Sequence, residues 1–145
     1  MASLNETSTD RLPDAIRERL GEPTSTLEGE GSHVYTWEEL GGEAVIFARN
    51  VRGWEAVAMQ VEAELEDCRP AAVIAATGGG LRPLHQRIDL LELLRVCKDP
   101  RVRRLVLADA TRIARDPNVL LEVFVQLSEL GVSVEKADRR LHWRR

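Results

Sequence analysis

Lysine is nearly missing from this sequence. Lys98 and Lys136 are the only two among 20 basic residues, so guanidinium groups dominate its positive charge, an arginine bias that genomic base composition also produces. Cysteine is scarce too. Cys68 and Cys97 stand far apart on apolar helical patterns, which excludes a close metal or redox pair. They read as buried thiols in a reducing compartment, and the protein is expected to be cytoplasmic. No apolar run reaches the length of a membrane span, and the polar opening MASLNETSTD is no secretory signal, so no membrane association is expected. His33, His85 and His142 are scattered without ligand spacing, and no metal site is expected. Gly78-Gly79-Gly80 fits neither GxGxxG nor the Walker pattern; it reads as a flexible loop, and no cofactor is expected.

What is present is ordinary globular material. The 145 residues are 43% hydrophobic and 30% charged, enough for a core without disulfide or metal staples. The net charge of −4 hides an asymmetry: residues 1–43 hold ten acidic and three basic side chains (−7), and residues 44–145 hold 17 basic and 14 acidic (+3). The chain reads as an acidic extension (1–43), a main domain (44–138) and a basic tail (139–145). In the extension, Leu12, Ile16 and Leu20 recur at helical spacing before Gly21, predicting a short helix over 10–20. Residues 21–35, rich in Pro, Ser, Thr, Gly and Glu, read as a linker. Thr36-Trp37-Glu38-Glu39 has capping-box spacing and predicts one short helical turn.

From Ala44 onward, strand and helix patterns alternate. Ala44–Ala48 and Ala71–Ala76 read as buried strands, with a helix between them whose inward stripe is Trp54, Val57, Val61 and Leu65. Leu84, Ile88, Leu91 and Leu94 mark a second helix, and Leu105–Ala108 a third strand. Asp116-Pro117 reads as an N-cap with proline at the first helical position, opening a third helix that runs to Leu130. Gly131 caps it before a fourth strand at Val132-Ser133-Val134. This order predicts an α/β fold of three α/β/α layers around a mostly parallel sheet of four to five strands.

Thr111-Arg112-Ile113-Ala114-Arg115 follows the third strand directly, where open α/β sheets place ligand sites. Arg49 ends the first strand and so belongs to the same carboxyl edge. Three guanidiniums converging there suit a phosphate or carboxylate ligand. Arg82 and Arg87 flank the start of the second helix, and one of them is expected to reach the same edge.

These residues carry a resemblance. Phe47-Ala48-Arg49 with Gln60, then Gln86-Arg87 opening a leucine-rich helix, then Thr111 to Arg115, and lastly Gly131-Val132-Ser133-Val134 together resemble the catalytic domain of serine site-specific recombinases, the resolvases and invertases. The resemblance covers about residues 44–138. That family's pattern runs Tyr/Phe-x-Arg-x-Ser, Gln, Arg-Pro-x-Leu and Asp-Arg-Leu-x-Arg. The resemblance implies a serine nucleophile that attacks the DNA phosphodiester, with arginines neutralising the phosphate and its transition state. By position, Arg49, Arg87, Arg112 and Arg115 match those arginines, with Arg82-Pro83 a competing match for Arg87.

Two departures follow. Val51 holds the nucleophile position, and Thr111 the acidic position before Arg112. The resemblance therefore implies a catalytically inactive domain that keeps an arginine pocket for phosphate or DNA, or serves as an interaction module with a protein partner or a second copy of itself. The tail, through Arg139, Arg140, Trp143 and Arg144, is a candidate for backbone contact and base stacking. Two other readings stay open: a phosphoryl-transfer enzyme using Thr111 or activated water, and a structural subunit without nucleic-acid binding.

Overall fold

The computed structural model describes residues 12–29, 31–78 and 82–136. In chain order these form α1 (Asp14–Leu20), β1 (Ser25–Gly29), β2 (Ser32–Glu38), β3 (Ala44–Arg49), α2 (Trp54–Asp67), β4 (Pro70–Thr77), α3 (Ile88–Cys97), β5 (Arg104–Leu107), α4 (Pro117–Glu129) and β6 (Ser133–Lys136). Single 3₁₀ turns occupy Leu84–Gln86 and Ala110–Arg112.

The six strands lie in one sheet, ordered β1-β2-β4-β3-β5-β6. Pairings β4–β3, β3–β5 and β5–β6 are parallel, whereas β1–β2 and β2–β4 are antiparallel. The chain winds from β3 outward to β4, then crosses back past β3 to β5. The direction of winding across the sheet therefore reverses between β3 and β5, and a crevice at the carboxyl ends of strands is expected where the order reverses.

Residue alternation sorts the central strand between two cores. Val45 and Phe47 face the core filled by Leu90, Leu93 and Leu94 of α3 and Val119, Val123 and Leu127 of α4. Ala44, Ile46 and Ala48 face the opposite core, filled by Trp54, Val57 and Val61 of α2 and by Leu12 and Ile16. Helices thus cover both faces, and the three-layer, mostly parallel α/β/α expectation is met. Fully burying one such Leu, Ile or Val side chain stabilises the fold by about 1.5–3 kcal/mol. Asp116 caps α4 by accepting the Asn118 N–H at 2.8 Å, with Pro117 in the first turn, as its sequence predicts.

Five local expectations are corrected. The sheet has six strands, not four to five. The stretch read as a linker, 21–35, supplies β1 and the first part of β2, an antiparallel hairpin added to the β4 edge, so residues before 44 share the sheet of the main domain. Thr36-Trp37-Glu38 is the end of β2 rather than a helical turn; Thr36 and Trp37 are buried between β1 and β4. In α3 the inward stripe is Leu90, Leu93, Leu94 and Cys97, while Leu91 is 44% exposed and Leu84 lies in the preceding 3₁₀ turn. The last strand is Ser133–Lys136, an edge strand with Val134 on its exposed side.

Candidate functional site

Arg49 is placed by β3, whose last residue it is, on the side of the sheet covered by α3 and α4. The residue is 5% exposed. Nε donates to the Arg112 carbonyl at 2.8 Å and Nη1 to the Gly78 carbonyl at 3.0 Å. One side chain thereby ties the ends of β3 and β4 to the turn after β5, across the point where strand order reverses.

Arg87 precedes the first residue of α3 and is 1% exposed. Its Nε and Nη2 donate to the two carboxylate oxygens of Asp89 at 2.9 and 2.8 Å, a bidentate fork. Asp89 is 2% exposed, and its Oδ2 also lies 3.8 Å from Nε of Arg49. Burial, then the positive charge of Arg87, hold the Arg49 guanidinium below its ordinary pKa; Asp89 acts in the opposite sense, and Arg112 and Arg115 lower it further. Arg49 thus feels the charges of the other three arginines singled out in the sequence. Arg49 and Arg87 are internal; Arg112 is half-buried and Arg115 exposed. Nη1 of Arg87 and Nε of Arg112 are buried donors without a hydrogen-bond partner. The competing Arg82 lies on the hairpin side, its Nη2 beside Gly31.

Asp89 was not visible as a site residue from the sequence, because an acid in the first turn of a helix is ordinary there. Asp109 was missed as well. It caps the 3₁₀ turn by accepting the Thr111 N–H at 2.8 Å, and its carboxylate also accepts the Thr111 hydroxyl. Burial pushes Asp109 up, but the Thr111 hydrogen bonds and the Arg112 charge outweigh it and hold the carboxyl below its ordinary value.

Val51 lies two residues beyond Arg49, on the solvent side. It is 70% exposed and lines an open cleft of about 460 Å³ between the β1–β2 hairpin and the ends of β3 and β4, with Ser32, His33, Arg52 and Thr77. Gly78 is the residue the cleft shares with the cluster, since its carbonyl accepts from Arg49. None of the four cluster arginines is among the described lining residues. Gln60 keeps its carbonyl oxygen buried and unpartnered on α2. The tail residues Arg139, Arg140, Trp143 and Arg144 lie outside the described residues. Among the described residues no group of His, Cys, Asp and Glu is arranged to hold a metal ion, and no helix is long and apolar enough to cross a membrane.

A doubly wound α/β domain with guanidiniums gathered at the carboxyl edge is the class that fold and site define. The chain has the fold of a serine recombinase catalytic domain. It superposes on the C-terminal catalytic domain of ISC1926 TnpA, an IS607-like serine recombinase, with a TM-score of 0.54 and 23% identity over 65% of this chain and 68% of that one. It also matches the first ORF in transposon ISC1904 from Sulfolobus solfataricus P2, with a TM-score of 0.49 and 20% identity over 66% of each chain. No protein-family model and no curated protein sequence matches this chain.

Proposed function

We propose that this protein is a serine recombinase-like domain that serves DNA recombination by holding phosphate rather than by cutting it. The observation that carries this reading is the side chain at the nucleophile position: Val51 is exposed and aliphatic, while all four matching arginines are kept. A valine forms no phosphoester. In this reading Arg112 and Arg115, the more exposed pair, meet a DNA backbone, with Arg49 and Arg87 behind them as internal supports. The basic tail, through Arg139, Arg140, Trp143 and Arg144, adds backbone contact and stacking. In this reading the protein works in the cytoplasm together with a protein partner or a second copy of itself.

Fluorescence anisotropy of a labelled duplex, titrated with salt, tests the proposal. Wild type is expected to bind with an affinity that falls steeply as salt rises, and Arg112→Ala/Arg115→Ala to lower the log–log slope by about 1 per lost phosphate contact. Binding that ignores salt, or an unchanged slope in the double variant, overturns it. A covalent 5′-phosphoprotein adduct on suicide DNA ends the non-cutting part.

One observation favours a second reading. The Thr111 hydroxyl donates to the Asp109 carboxylate beside Arg112, the arrangement of a nucleophile with an adjacent base. Against it, a carboxyl held below its ordinary value is a weak base. If Thr111 is the nucleophile, Thr111→Ala abolishes a measurable nicking activity on supercoiled plasmid. If nicking is absent from wild type, or survives the substitution, this reading is wrong.

A further inference from the structure

The inner half of the arginine cluster already contains an anion. The Asp89 carboxylate makes two charge-assisted hydrogen bonds to Arg87 and lies 3.8 Å from Arg49, and all three side chains are almost wholly buried. A planar carboxylate received by a guanidinium fork presents two oxygens at the spacing a phosphate offers to the same fork. The cluster is still richer in donors than in acceptors, because Nη1 of Arg87 and Nε of Arg112 are buried and unpartnered. Two buried guanidiniums, Arg87 and Arg49, face this one carboxylate, and the charges of Arg112 and Arg115 act on Arg49 as well. An acid at the first turn of a helix also has a purely local role, since it favours the positive end of the helix dipole. That role needs neither bidentate pairing nor approach to Arg49 at the end of β3.

We infer that Asp89 is an internal substitute for phosphate, which satisfies Arg87 and Arg49 in the free protein and so sets the specificity of the site: external phosphate meets the outer arginines, Arg112 and Arg115, and enters the inner half only when Asp89 is removed or displaced. The inference rests on the reading of the cluster as a phosphate site and adds the residue that decides how deep the phosphate goes. Removing the carboxylate leaves two buried guanidiniums without their anion, a costly state that a small oxyanion relieves by taking the vacated place.

The test is thermal unfolding of wild type, Asp89→Asn and Asp89→Ser in inorganic phosphate against chloride of matched ionic strength. Asparagine keeps the shape without the charge, and serine also opens space. Both variants are expected to melt below wild type in chloride and to regain stability in phosphate. Their apparent phosphate affinity should exceed that of wild type by about tenfold or more, the scale of one charge-assisted hydrogen bond. Arg87→Met/Asp89→Asn should lose that gain. A phosphate response in both variants no larger than that of wild type overturns the inference and leaves Asp89 as a first-turn acid. Should a variant fail to fold in chloride, phosphate-dependent refolding decides: refolding in phosphate supports the inference, and an unfolded chain in both salts refutes it. This outcome is separable from the DNA-binding proposal. Wild type that ignores duplex DNA sinks that proposal while the phosphate response of Asp89→Asn is still measured.

Discussion

At the scale of single residues, close approach decides what a position tolerates. Gly78 has φ of +81°, and a Cβ added there would lie 1.9 Å from the Gly31 carbonyl oxygen, where backbone cannot yield cheaply. Its own carbonyl is the acceptor for Arg49. Gly78→Ala is expected to destabilise the protein by about 3 kcal/mol, combining the left-handed backbone cost with the clash, as read from urea unfolding. The sequence showed a glycine after a strand and suggested flexibility there. The reason for this glycine lies 47 positions earlier in the chain, in the hairpin turn that packs on it. Cys97 is a simpler case: burial pushes its thiol up to about 12, in line with the inert buried thiol its apolar pattern predicts.

At the scale of elements, a buried acid fastens the hairpin to the main helices. Glu92 of α3 accepts from Nε and Nη2 of Arg95 at 2.9 and 2.8 Å and from the Ser25 hydroxyl of β1 at 3.3 Å, and Arg95 also bonds Glu38 at the end of β2. The Arg95 hydrogen bond, against the opposing effect of burial, holds the Glu92 carboxyl below its ordinary value. A folded pKa below the unfolded one contributes stability above the unfolded pKa and loses it as pH falls through the folded value. Stability should therefore drop below about pH 4, where unfolded glutamates gain protons. Glu92→Gln should cost about 1–2 kcal/mol at pH 7, discounted because Arg95 is half-exposed, and should flatten that acid limb in urea midpoints taken from pH 7 to 3. The hairpin itself was hidden in the sequence. β1 is a largely exposed edge strand of Pro-, Gly- and Ser-flanked polar residues, and β2 interrupts its apolar run with His33 and Thr36. The helix α3 was visible but its phase was not, because leucines on several sides of one helix allow more than one stripe.

For the whole molecule, periodicity and caps within the chain determined the alternation of strands and helices, the parallel core of β3, β4, β5 and β6, the start of α4 at Asp116-Pro117, and the edge of the sheet at which the arginines stand. Those are local properties: a short apolar run rich in β-branched residues and bounded by turns suits a buried strand, and an amphipathic stripe suits a helix packed on one face of a sheet. Tertiary structure alone decided the rest. It added the hairpin to the β4 edge, turned Arg49 and Arg87 inward onto carbonyls and Asp89, left Val51 on a neighbouring cleft, and set Thr111 against Asp109. Each of these depends on which distant groups meet after the sheet closes, and a buried guanidinium takes the nearest acceptors that packing supplies, a choice no spacing along the chain encodes.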